Sequence, residues 1–473
     1  MKNFFLKPSN SEQRERRNLK KKPFLKSVLM GCMALMSLLI VKPQETRADS
    51  ATFYVSTQQQ LNEACNYRGT ADIYLNNSID LKRYDSASGT YFPTGISVYG
   101  VKTLHGNGNT LSNGIVIYDS YANADVKENG APVFNVANTL TLENVVINGG
   151  NAKYRSAIVV NFGGTVNVKS GTYITGCKSW DCGSGTRGGH GIWCREGGVI
   201  NVYDGSIYGN AQSGIGSSGG TISVAGGNIY NNGNNGISSY GTLYFHGGIV
   251  NQNKGAGIYV GGGNRGLAYI NGGLIAGNRS DAGVGIAIQS GKVEMNGGTV
   301  SDFSNAGVYV ENGYGTFTMN GGEIYRNTST GISNVGTTTV NNGRIHDNGE
   351  NGILSSTSLT IGSGASGTEI CNNGSNGVYS SGTLTMTGGY VHSNNGTGVV
   401  NYGSGTISGG EIRHNKGNSN VVNGTTGTLR MTGGSIYGTA VNGIANSGNL
   451  TVTGGEIYGC SASGIFHAGT TTI

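Results

Sequence analysis

The stretch "GGEIYRNTSTGI" (321–332) contains a unit that repeats along most of this 473-residue chain. It returns, among other places, as "GGNIYNNGNNGI" (226–237) and "GGEIYGCSASGI" (454–465). The apolar residue that follows each Gly-Gly-like turn recurs every 21 to 25 residues between Ile207 and Ile457. Such a period is too short for repeats built from two helices. It predicts short β-strands separated by tight turns.

Each unit contains three short segments with β character, of the forms T-L-T-M, x-I-Y and G-I-x-x, with Gly or Asn at the corners. Gly and Asn tolerate the positive φ angles that sharp turns require. Three strands and three turns in one repeat form a coil of a parallel β-helix, and stacked coils pair as parallel strands about 4.8 Å apart. The sequence therefore predicts an all-β solenoid of about 15 coils.

An asparagine recurs at one corner of the repeat, three residues after the repeating apolar residue, in nine of twelve coils. Stacked side-chain amides can donate from one coil to the next and satisfy the buried backbone of the turns. Alternatively, each asparagine only tolerates a left-handed backbone at its turn. The predicted ladder consists of Asn210, Asn232, Asn253, Asn278, Asn327, Asn348, Asn373, Asn394 and Asn415.

These repeats resemble the right-handed parallel β-helix of the pectate-lyase-like superfamily over roughly residues 95–473. The preceding stretches "ATFYVSTQQQLNEACN" (51–66) and "ADIYLNNSIDL" (71–81) resemble the N-terminal module of Gram-positive surface proteins with a pectate-lyase-like adhesive domain. The resemblance implies a short helical cap over the open end of the solenoid, with Leu61 and Ala64 on its buried face. Such a cap would cover unpaired strand edges. An ordinary surface helix is the alternative.

The N-terminus has the features of an export signal. A basic region precedes a 14-residue apolar run (28–41), and small residues follow that suit cleavage after Ala48. The run is shorter than the roughly 20 residues of a membrane span, although an uncleaved anchor is the alternative. We therefore expect a signal peptide (1–48), an N-terminal cap with the first strands (49–115) and β-helix repeats (116–473). The chain ends inside a repeat, and we expect a C-terminal cap or anchor to be missing from it; coverage of that edge by another subunit is the alternative.

The body of the chain is close to neutral. Of the 31 Lys and Arg residues, 11 lie in 1–48, as do 3 of the 25 Asp and Glu residues, which leaves 20 basic and 22 acidic residues. The sequence contains no basic stripe of the kind that indicates nucleic-acid binding. The export signal predicts a secreted or cell-surface protein with no membrane span once the signal is removed.

The stretch "GCKSWDCGSGTRGGHGIWCREGG" (176–198) interrupts the repeat with about ten extra residues. Cys177 falls at the asparagine-ladder position, which predicts that it points inward. Cys182 and Cys194 bracket the insertion, and a disulfide between them would close the loop in an exported protein. A zinc site formed by these three cysteines and His190 is the alternative, but the spacing lacks the close cysteine pair of common zinc modules.

The same insertion offers the candidates for an enzyme. The tripeptide in "GHGI" (189–192) resembles one motif of polygalacturonases, and the candidate catalytic residues are Asp181, His190, Arg195 and Glu196. Glycoside hydrolysis needs two placed carboxylates, and Asp181 and Glu196 are the only local pair. A lyase of the pectate-lyase-like superfamily would use Ca²⁺, but acidic residues are sparse here. We therefore predict no cofactor and no metal unless the protein is a lyase.

Aromatic residues give the candidates for ligand contact. Trp180 and Trp193 lie near the two ends of the insertion, and a stripe of tyrosines that includes Tyr230 and Tyr325 follows the repeating apolar residue. Aromatic faces flanked by amides suit carbohydrate, but they can equally pack on the solenoid or stack on one another. We predict a non-catalytic adhesin-like protein that contacts an extracellular polysaccharide or a host or cell-surface glycoprotein. A polysaccharide lyase or glycoside hydrolase that uses 176–198 is the alternative.

Overall fold

The computed structural model of the protein describes residues 50–81, 84–85, 90–91, 96–112, 116–117, 129–130, 133–150, 156–181, 186–278, 283–311, 313–362, 367–438 and 441–473. Side chains are not described for 84–85, 90–91, 116–117, 129–130, 180–181 and 186–187. The predicted signal peptide, 1–48, lies outside these residues. In the described part of the chain, no helix is long and apolar enough to span a membrane.

Ser50–Ile473 forms a parallel β-solenoid in which each complete coil of the described residues contributes three strands. The first and second strands of successive coils form one sheet of 28 strands, and the third strands form a sheet of 16. One third strand in each coil gives about 16 coils, so the prediction of a parallel β-solenoid is confirmed, with about one coil more than expected. The first-strand ladder crosses the boundary predicted at residue 116 without a break, because Val101–His105 pairs with Thr139–Glu143.

The strands of each ladder share one place in the repeat. The first-strand ladder consists of Ser50–Val55, Thr70–Leu75, Val101–His105, Thr139–Glu143, Thr165–Val168, Val199–Val202, Thr221–Val224, Thr242–Phe245, Leu267–Ile270, Gly291–Met295, Ser358–Ile361 and Thr470–Thr472. The second-strand ladder consists of Ile79–Asp80, Thr110–Ser112, Val146–Asn148, Tyr173–Thr175, Ser206–Tyr208, Asn228–Tyr230, Ile249–Asn251, Leu274–Ala276, Thr299–Ser301 and Thr368–Cys371. In other coils the first and second strands are one bent strand: Gly315–Tyr325, Thr337–His346, Thr383–His392, Ser404–Arg413, Thr428–Tyr437 and Asn449–Tyr458. The third-strand ladder consists of Ile96–Val98, Phe134–Val136, Ile158–Val160, Ile192–Cys194, Ile215–Ser217, Ile237–Ser239, Ile258–Val260, Ile286–Ile288, Val308–Val310, Ile332–Asn334, Ile353–Ser355, Val378–Ser380, Val399–Asn401, Ser419–Asn423, Asn442–Asn446 and Ser463–His467.

A few short elements lie outside the ladders. The described residues include the helix Gln58–Asn66 and the 3₁₀ turn Gly263–Arg265. They also include antiparallel pairs formed by Tyr84–Asp85 with Thr90–Tyr91, Val116–Ile117 with Asn129–Gly130, and Ser179–Asp181 with Thr186–Gly188.

Alternation of side chains builds the core from this repeat. In Thr383–His392 the side chains of Leu384 and Met386 are buried by period-two alternation, and that of Val391 is buried beyond a bend in the strand. The strand bends at Gly389, whose φ of 84° lies in the left-handed region that glycine adopts without a steric penalty. The Gly-Gly element of the repeat therefore supplies the corner between first and second strands.

The asparagine ladder is present inside one corner of the coils. Asn348 Nδ2 donates to Asn373 Oδ1 over 3.0 Å, and Asn373 Nδ2 donates to Asn394 Oδ1 over 2.9 Å. The backbone N–H of Asn348 also donates to Asn373 Oδ1, over 3.2 Å. Positive φ occurs at the residue before the ladder asparagine, as at Asp347, and not at Asn348 itself. The ladder interpretation is therefore confirmed, and left-handed backbone does not explain these asparagines.

The ladder departs from the prediction at two places. Asn278 is exposed, whereas the other eight predicted members are buried. In the next coil the buried Phe303 occupies the ladder position, and its backbone N–H donates to Asn327 Oδ1 over 3.1 Å. At the other end Asn415 Nδ2 donates over 3.0 Å to Asn420 Oδ1, a residue that the repeat did not predict. Where the repeat is irregular, the ring of Phe303 thus takes the place of a ladder amide, and the amide of Asn420 extends the ladder from a position outside the repeat.

The N-terminal helix, Gln58–Asn66, forms where the resemblance implied it. Leu61 and Ala64 are both buried, and the Thr57 hydroxyl accepts from the backbone N–H of Gln60 at the N-cap. That the helix acts as a cap stays a prediction. Just beyond it, the buried Lys102 donates from Nζ to three backbone carbonyl oxygens at 2.5 to 2.8 Å.

Candidate functional site

The 176–198 insertion forms a hairpin that leaves the solenoid between two coils. Ser179–Asp181 pairs antiparallel with Thr186–Gly188, and the chain then enters the third-strand ladder at Ile192–Cys194. The side chains of Trp180 and Asp181 lie outside the described residues, as does all of Cys182. The predicted contact of Trp180 with a ligand and the predicted catalytic role of Asp181 therefore stay predictions. The predicted disulfide can be judged at Cys194.

The two described cysteines of this region point into the core. Cys177 is buried at the ladder position, as predicted, and its backbone N–H donates to Asn210 Oδ1 over 3.3 Å. Cys194 is a free thiol at the inward-facing end of its strand. The disulfide predicted between Cys182 and Cys194 is therefore not formed at Cys194. Spacing around a loop suggested the bond, but strand alternation turns this side chain inward.

Burial also sets the chemistry of these thiols. It raises the pKa of Cys177 and of Cys194 to about 12, so both are protonated at neutral pH. Among the described residues, Cys177, His190 and Cys194 do not meet as a group of metal ligands.

A pocket opens on the outer face of the third-strand ladder beside Trp193. The outward residues of four successive coils are Trp193, Gly216, Ser238 and Tyr259, paired in parallel register. Trp193 and Tyr259 thus stand three coils, or about 14 Å, apart along the ladder. The two small residues between them leave a space of about 420 Å³. This slot between two aromatic residues is the Trp193 pocket.

Aromatic walls and a polar floor line the Trp193 pocket. The described lining residues are His190, Trp193, Ser213, Asn234, Asn235, Ser238, Tyr240 and Tyr259. On the floor, the hydroxyls of Ser213 and Ser238 lie 2.9 Å apart, and Asn235 Nδ2 donates to Ser238 Oγ over 2.9 Å. Asn235 Oδ1 also accepts from the backbone N–H of Ala256 over 2.7 Å, which fixes its amide. The floor therefore presents preorganised hydroxyl and amide groups.

The tyrosine wall is held in the same way. The rings of Tyr240 and Tyr259 lie 5.7 Å apart between centroids, tilted by 49°. The Tyr259 hydroxyl donates to Gln289 Oε1. Burial raises the pKa of Tyr259, so its phenol stays neutral. This wall presents uncharged aromatic surface to the pocket.

His190 supports Trp193 from within the wall. The two rings lie 4.9 Å apart between centroids, tilted by 32°. Burial lowers the pKa of His190 to about 4, against a smaller opposing effect of a hydrogen bond with the Ser213 backbone. Nδ1 of His190 is buried and has no hydrogen-bond partner among the described residues. The imidazole is therefore neutral at physiological pH.

The other predicted catalytic residues are not in the Trp193 pocket. Arg195 and Glu196 are both exposed and absent from its lining. Glu196 pairs with Arg265 at 3.5 Å, with both side chains more than 70% exposed. The described lining of the pocket contains no carboxylate.

Tyr230 and Tyr325 stack along the second-strand ladder. The ring of Tyr230 lies 5.0 Å from that of Tyr208, at an angle of 8°. Tyr325 lies 5.1 Å from His346, at 2°, and carries the Arg326 guanidinium over its ring at 4.7 Å. The expectation of stacking between coils is confirmed for these residues, and neither tyrosine lines the Trp193 pocket. Their contact with a ligand stays a prediction.

Trp193 and His190 were predicted from the sequence as candidate site residues, but the other lining residues of the Trp193 pocket were not. The sequence does contain a signal for the pocket in the G-I-x-x segments of four successive coils. The residue after the inward isoleucine is, in order, Trp193, Gly216, Ser238 and Tyr259. Only the register between coils brings them together. Alignment of third strands alone would have shown two small residues between two large aromatic ones.

No protein-family model matches the chain, and no curated protein matches it. Among solved structures it is similar to the A-module of the mannuronan C-5 epimerase AlgE6 from Azotobacter vinelandii. The two are 13% identical, with 88% of this chain and 94% of that chain covered and a TM-score of 0.30. The function proposed for this chain therefore rests on its own residues.

Proposed function

We propose that this chain is an exported, cell-surface β-helix protein that binds carbohydrate without cleaving it, in the manner of an adhesin. The observation that carries the proposal is the Trp193 pocket, a slot with aromatic walls and a floor of fixed hydroxyl and amide groups. Its partner would be an extracellular polysaccharide or the glycan of a host or cell-surface glycoprotein.

The lining fits a neutral sugar. The apolar face of a pyranose packs on an indole, while its hydroxyls exchange hydrogen bonds with side-chain amides and hydroxyls. Trp193 supplies the stacking face, and Asn235 and Ser238 supply donors and acceptors in fixed positions. The described lining has no charged side chain at neutral pH, because His190 is neutral there. We therefore expect neutral glycans to be preferred over uronates.

Binding fits these residues better than hydrolysis does. Glycoside hydrolysis requires two carboxylates about 5 to 10 Å apart around the scissile bond. Glu196 is exposed and paired with Arg265, outside the pocket. A histidine whose pKa lies near 4 is also a poor proton donor at neutral pH. These features support adhesion over the lyase or hydrolase alternative.

The location of the protein is part of the same proposal. The basic and apolar segments of 1–48 support export, and the near-neutral charge balance of the remaining sequence does not favour nucleic acid as a partner. We infer a secreted or surface-attached protein of a Gram-positive bacterium.

The test is binding of the purified protein to an array of neutral and acidic glycans, beside depolymerisation assays with and without Ca²⁺. Binding of neutral glycans without cleavage is the expected result. Trp193→Ala should weaken binding about 30-fold or more, because removing a central aromatic anchor commonly costs about 2 kcal/mol. Tyr314→Ala is the matched control, since Tyr314 is an aromatic residue that is 80% exposed and outside the pocket.

Two outcomes would contradict the proposal. Cleavage that disappears in His190→Ala would make the pocket an active site. Glycan binding that Trp193→Ala leaves unchanged would place recognition elsewhere on the protein.

A further inference from the structure

A second group of chemically active residues lies on the outer face of the second-strand ladder. Thr368–Cys371 pairs with Thr383–His392, and this register sets Cys371 directly opposite His392. Glu369 lies two residues before Cys371, on the same face of its strand. Adjacent strands lie about 4.8 Å apart, so the three side chains share one patch that spans two coils. We name Glu369, Cys371 and His392 the Glu-Cys-His cluster.

The ligating atoms of the Glu-Cys-His cluster converge. A carboxylate oxygen of Glu369, Sγ of Cys371 and an imidazole nitrogen of His392 all lie within 4.8 Å of one another. His392 Nε2 lies 2.9 Å from Glu369 Oε1. Cys371 is buried, while the side chains of His392 and Glu369 are 16% and 33% exposed. The patch is therefore closed on its sulfur side and open to solvent at the carboxylate.

The separation between His392 and Glu369 is close to that in a tetrahedral site, whereas Cys371 Sγ, within 4.8 Å of both ligand atoms, would have to lie about 3.6 Å from each. Zn²⁺ bonds of about 2.0 to 2.1 Å to nitrogen and oxygen set two such ligands about 3.3 Å apart. The present 2.9 Å separation between His392 and Glu369 therefore needs to widen only slightly. One thiolate, one imidazole and one carboxylate form a ligand set typical of a borderline transition ion, and they leave a fourth position for water.

The neighbouring side chains orient the cluster as outer-sphere residues orient metal ligands. Arg344 Nε donates to Glu369 Oε2 over 2.7 Å, which leaves Oε1 directed at His392. Arg344 Nη2 also donates to Cys371 Sγ over 3.7 Å, a contact that lowers the pKa of this thiol against the larger effect of burial, which raises it to about 11. Nδ1 of His392 lies 3.0 Å from Ser393 Oγ, so an ion on Nε2 would leave the Nδ1 proton a partner. Each ligand thus has a fixed orientation.

From this geometry we propose that Glu369, Cys371 and His392 bind Zn²⁺, with the fourth coordination position taken by water. The ion would link two adjacent coils and would be bound independently of the Trp193 pocket. A structural ion pair between Glu369, Arg344 and His392 is the competing explanation, and only metal binding separates the two.

Co²⁺ is the probe, because cobalt bound to a thiolate absorbs in the near ultraviolet. We expect metal-free, reduced protein to bind one equivalent of Co²⁺ with this band, and Zn²⁺ to displace it. Loss of an outer-sphere partner already costs about 10- to 100-fold in affinity, so Cys371→Ser should cost at least about 100-fold and abolish the band. Glu369→Gln should weaken binding at least about 10-fold and, as a near-isosteric change on a partly exposed residue, should leave the fold intact.

Matched controls remove the same chemical groups elsewhere. Cys460→Ser removes a partly exposed thiol and His414→Asn removes an exposed imidazole, and both variants should bind Co²⁺ like the parent protein. Circular dichroism checks that each variant is folded. The proposal is overturned if the parent protein gives no thiolate–cobalt band, or if Cys371→Ser and Glu369→Gln both bind Co²⁺ with unchanged affinity.

Discussion

The indole of Trp193 lies over Gly216, the residue that pairs with it in the next coil. A Cβ atom at Gly216 would lie 2.7 Å from Cε3 of Trp193 and 3.0 Å from Nδ1 of His190. Contacts this short require the rings to move. The absence of a side chain at one outward position therefore lets the stacked rings settle against the sheet and leaves the slot in front of Ser238 open.

We expect Gly216→Ala to displace the Trp193 indole and to weaken glycan binding at least about 10-fold, a loss of about 1.4 kcal/mol. Overpacking of this kind also lowers the free energy of unfolding by about 1 to 3 kcal/mol. Tryptophan fluorescence in a Trp180→Phe background, where Trp193 is the single tryptophan, measures the displacement of the indole, and glycan titration measures the loss of affinity.

Gly464→Ala is the control for Gly216→Ala. Gly464 also lies on a third strand, but a Cβ there would approach nothing closer than Ile457 Cγ2, at 3.6 Å. This variant should keep the parent fluorescence and affinity. Equal behaviour of the two variants would mean that the position of the indole does not control binding.

The repeat in the sequence was sufficient to predict the solenoid because period and alternation are local properties. The inward isoleucines, the Gly-Gly corners and eight of the nine ladder asparagines follow from a pattern of about 21 to 25 residues. The prediction that Asn278 belongs to the ladder was wrong because the repeat pattern does not show that Phe303 fills the interior of the next coil. The predicted disulfide at Cys194 was wrong because the position of a residue beside a loop does not determine which face of its strand the side chain occupies.

The two sites were harder to predict because they depend on register between coils. Trp193 and Tyr259 are 66 positions apart in sequence, and Cys371 and His392 are 21 apart, yet each pair belongs to one patch. Each coil differs slightly in length, so a fixed period does not bring these residues into line. Pairing of the strands determines which outward side chains become neighbours.

The asparagine ladder makes a prediction about stability. Asn348 Oδ1 accepts from the backbone N–H and Nδ2 of Asn327 over 3.1 and 2.9 Å, and its Nδ2 donates to Asn373 Oδ1 over 3.0 Å. Asn348→Ala would leave these buried partners unsatisfied, each at a cost of about 1 to 3 kcal/mol. We expect the free energy of unfolding to fall by at least about 3 kcal/mol, measured by urea denaturation.

Asn418→Ala tests whether this loss comes from the ladder. Asn418 is exposed, and substitution of an exposed residue usually changes stability by less than about 0.5 kcal/mol. If Asn348→Ala is no less stable than Asn418→Ala, the buried amide bonds do not stabilise the solenoid.

The lowered pKa of His190 predicts that the free energy of unfolding falls on acidification. Its pKa is about 4 in the folded protein, compared with 6.5 for an unperturbed histidine, because burial disfavours the imidazolium. The unfolded state therefore binds more protons, so the contribution of His190 is complete above pH 6.5 and is lost as the pH falls towards 4. This loss amounts to as much as about 3 kcal/mol across that interval.

The measurement is urea denaturation of the parent protein and His190→Asn at pH 7.5 and pH 5. Carboxylates titrate in both proteins, so the difference between the two pH dependences isolates His190. We expect the parent protein to lose more stability than His190→Asn on acidification. His414→Asn removes an exposed histidine and should follow the parent curve. If stability falls equally with pH in all three proteins, His190 binds a proton as readily in the folded protein as in the unfolded chain. The Trp193 pocket would then be charged at pH 5.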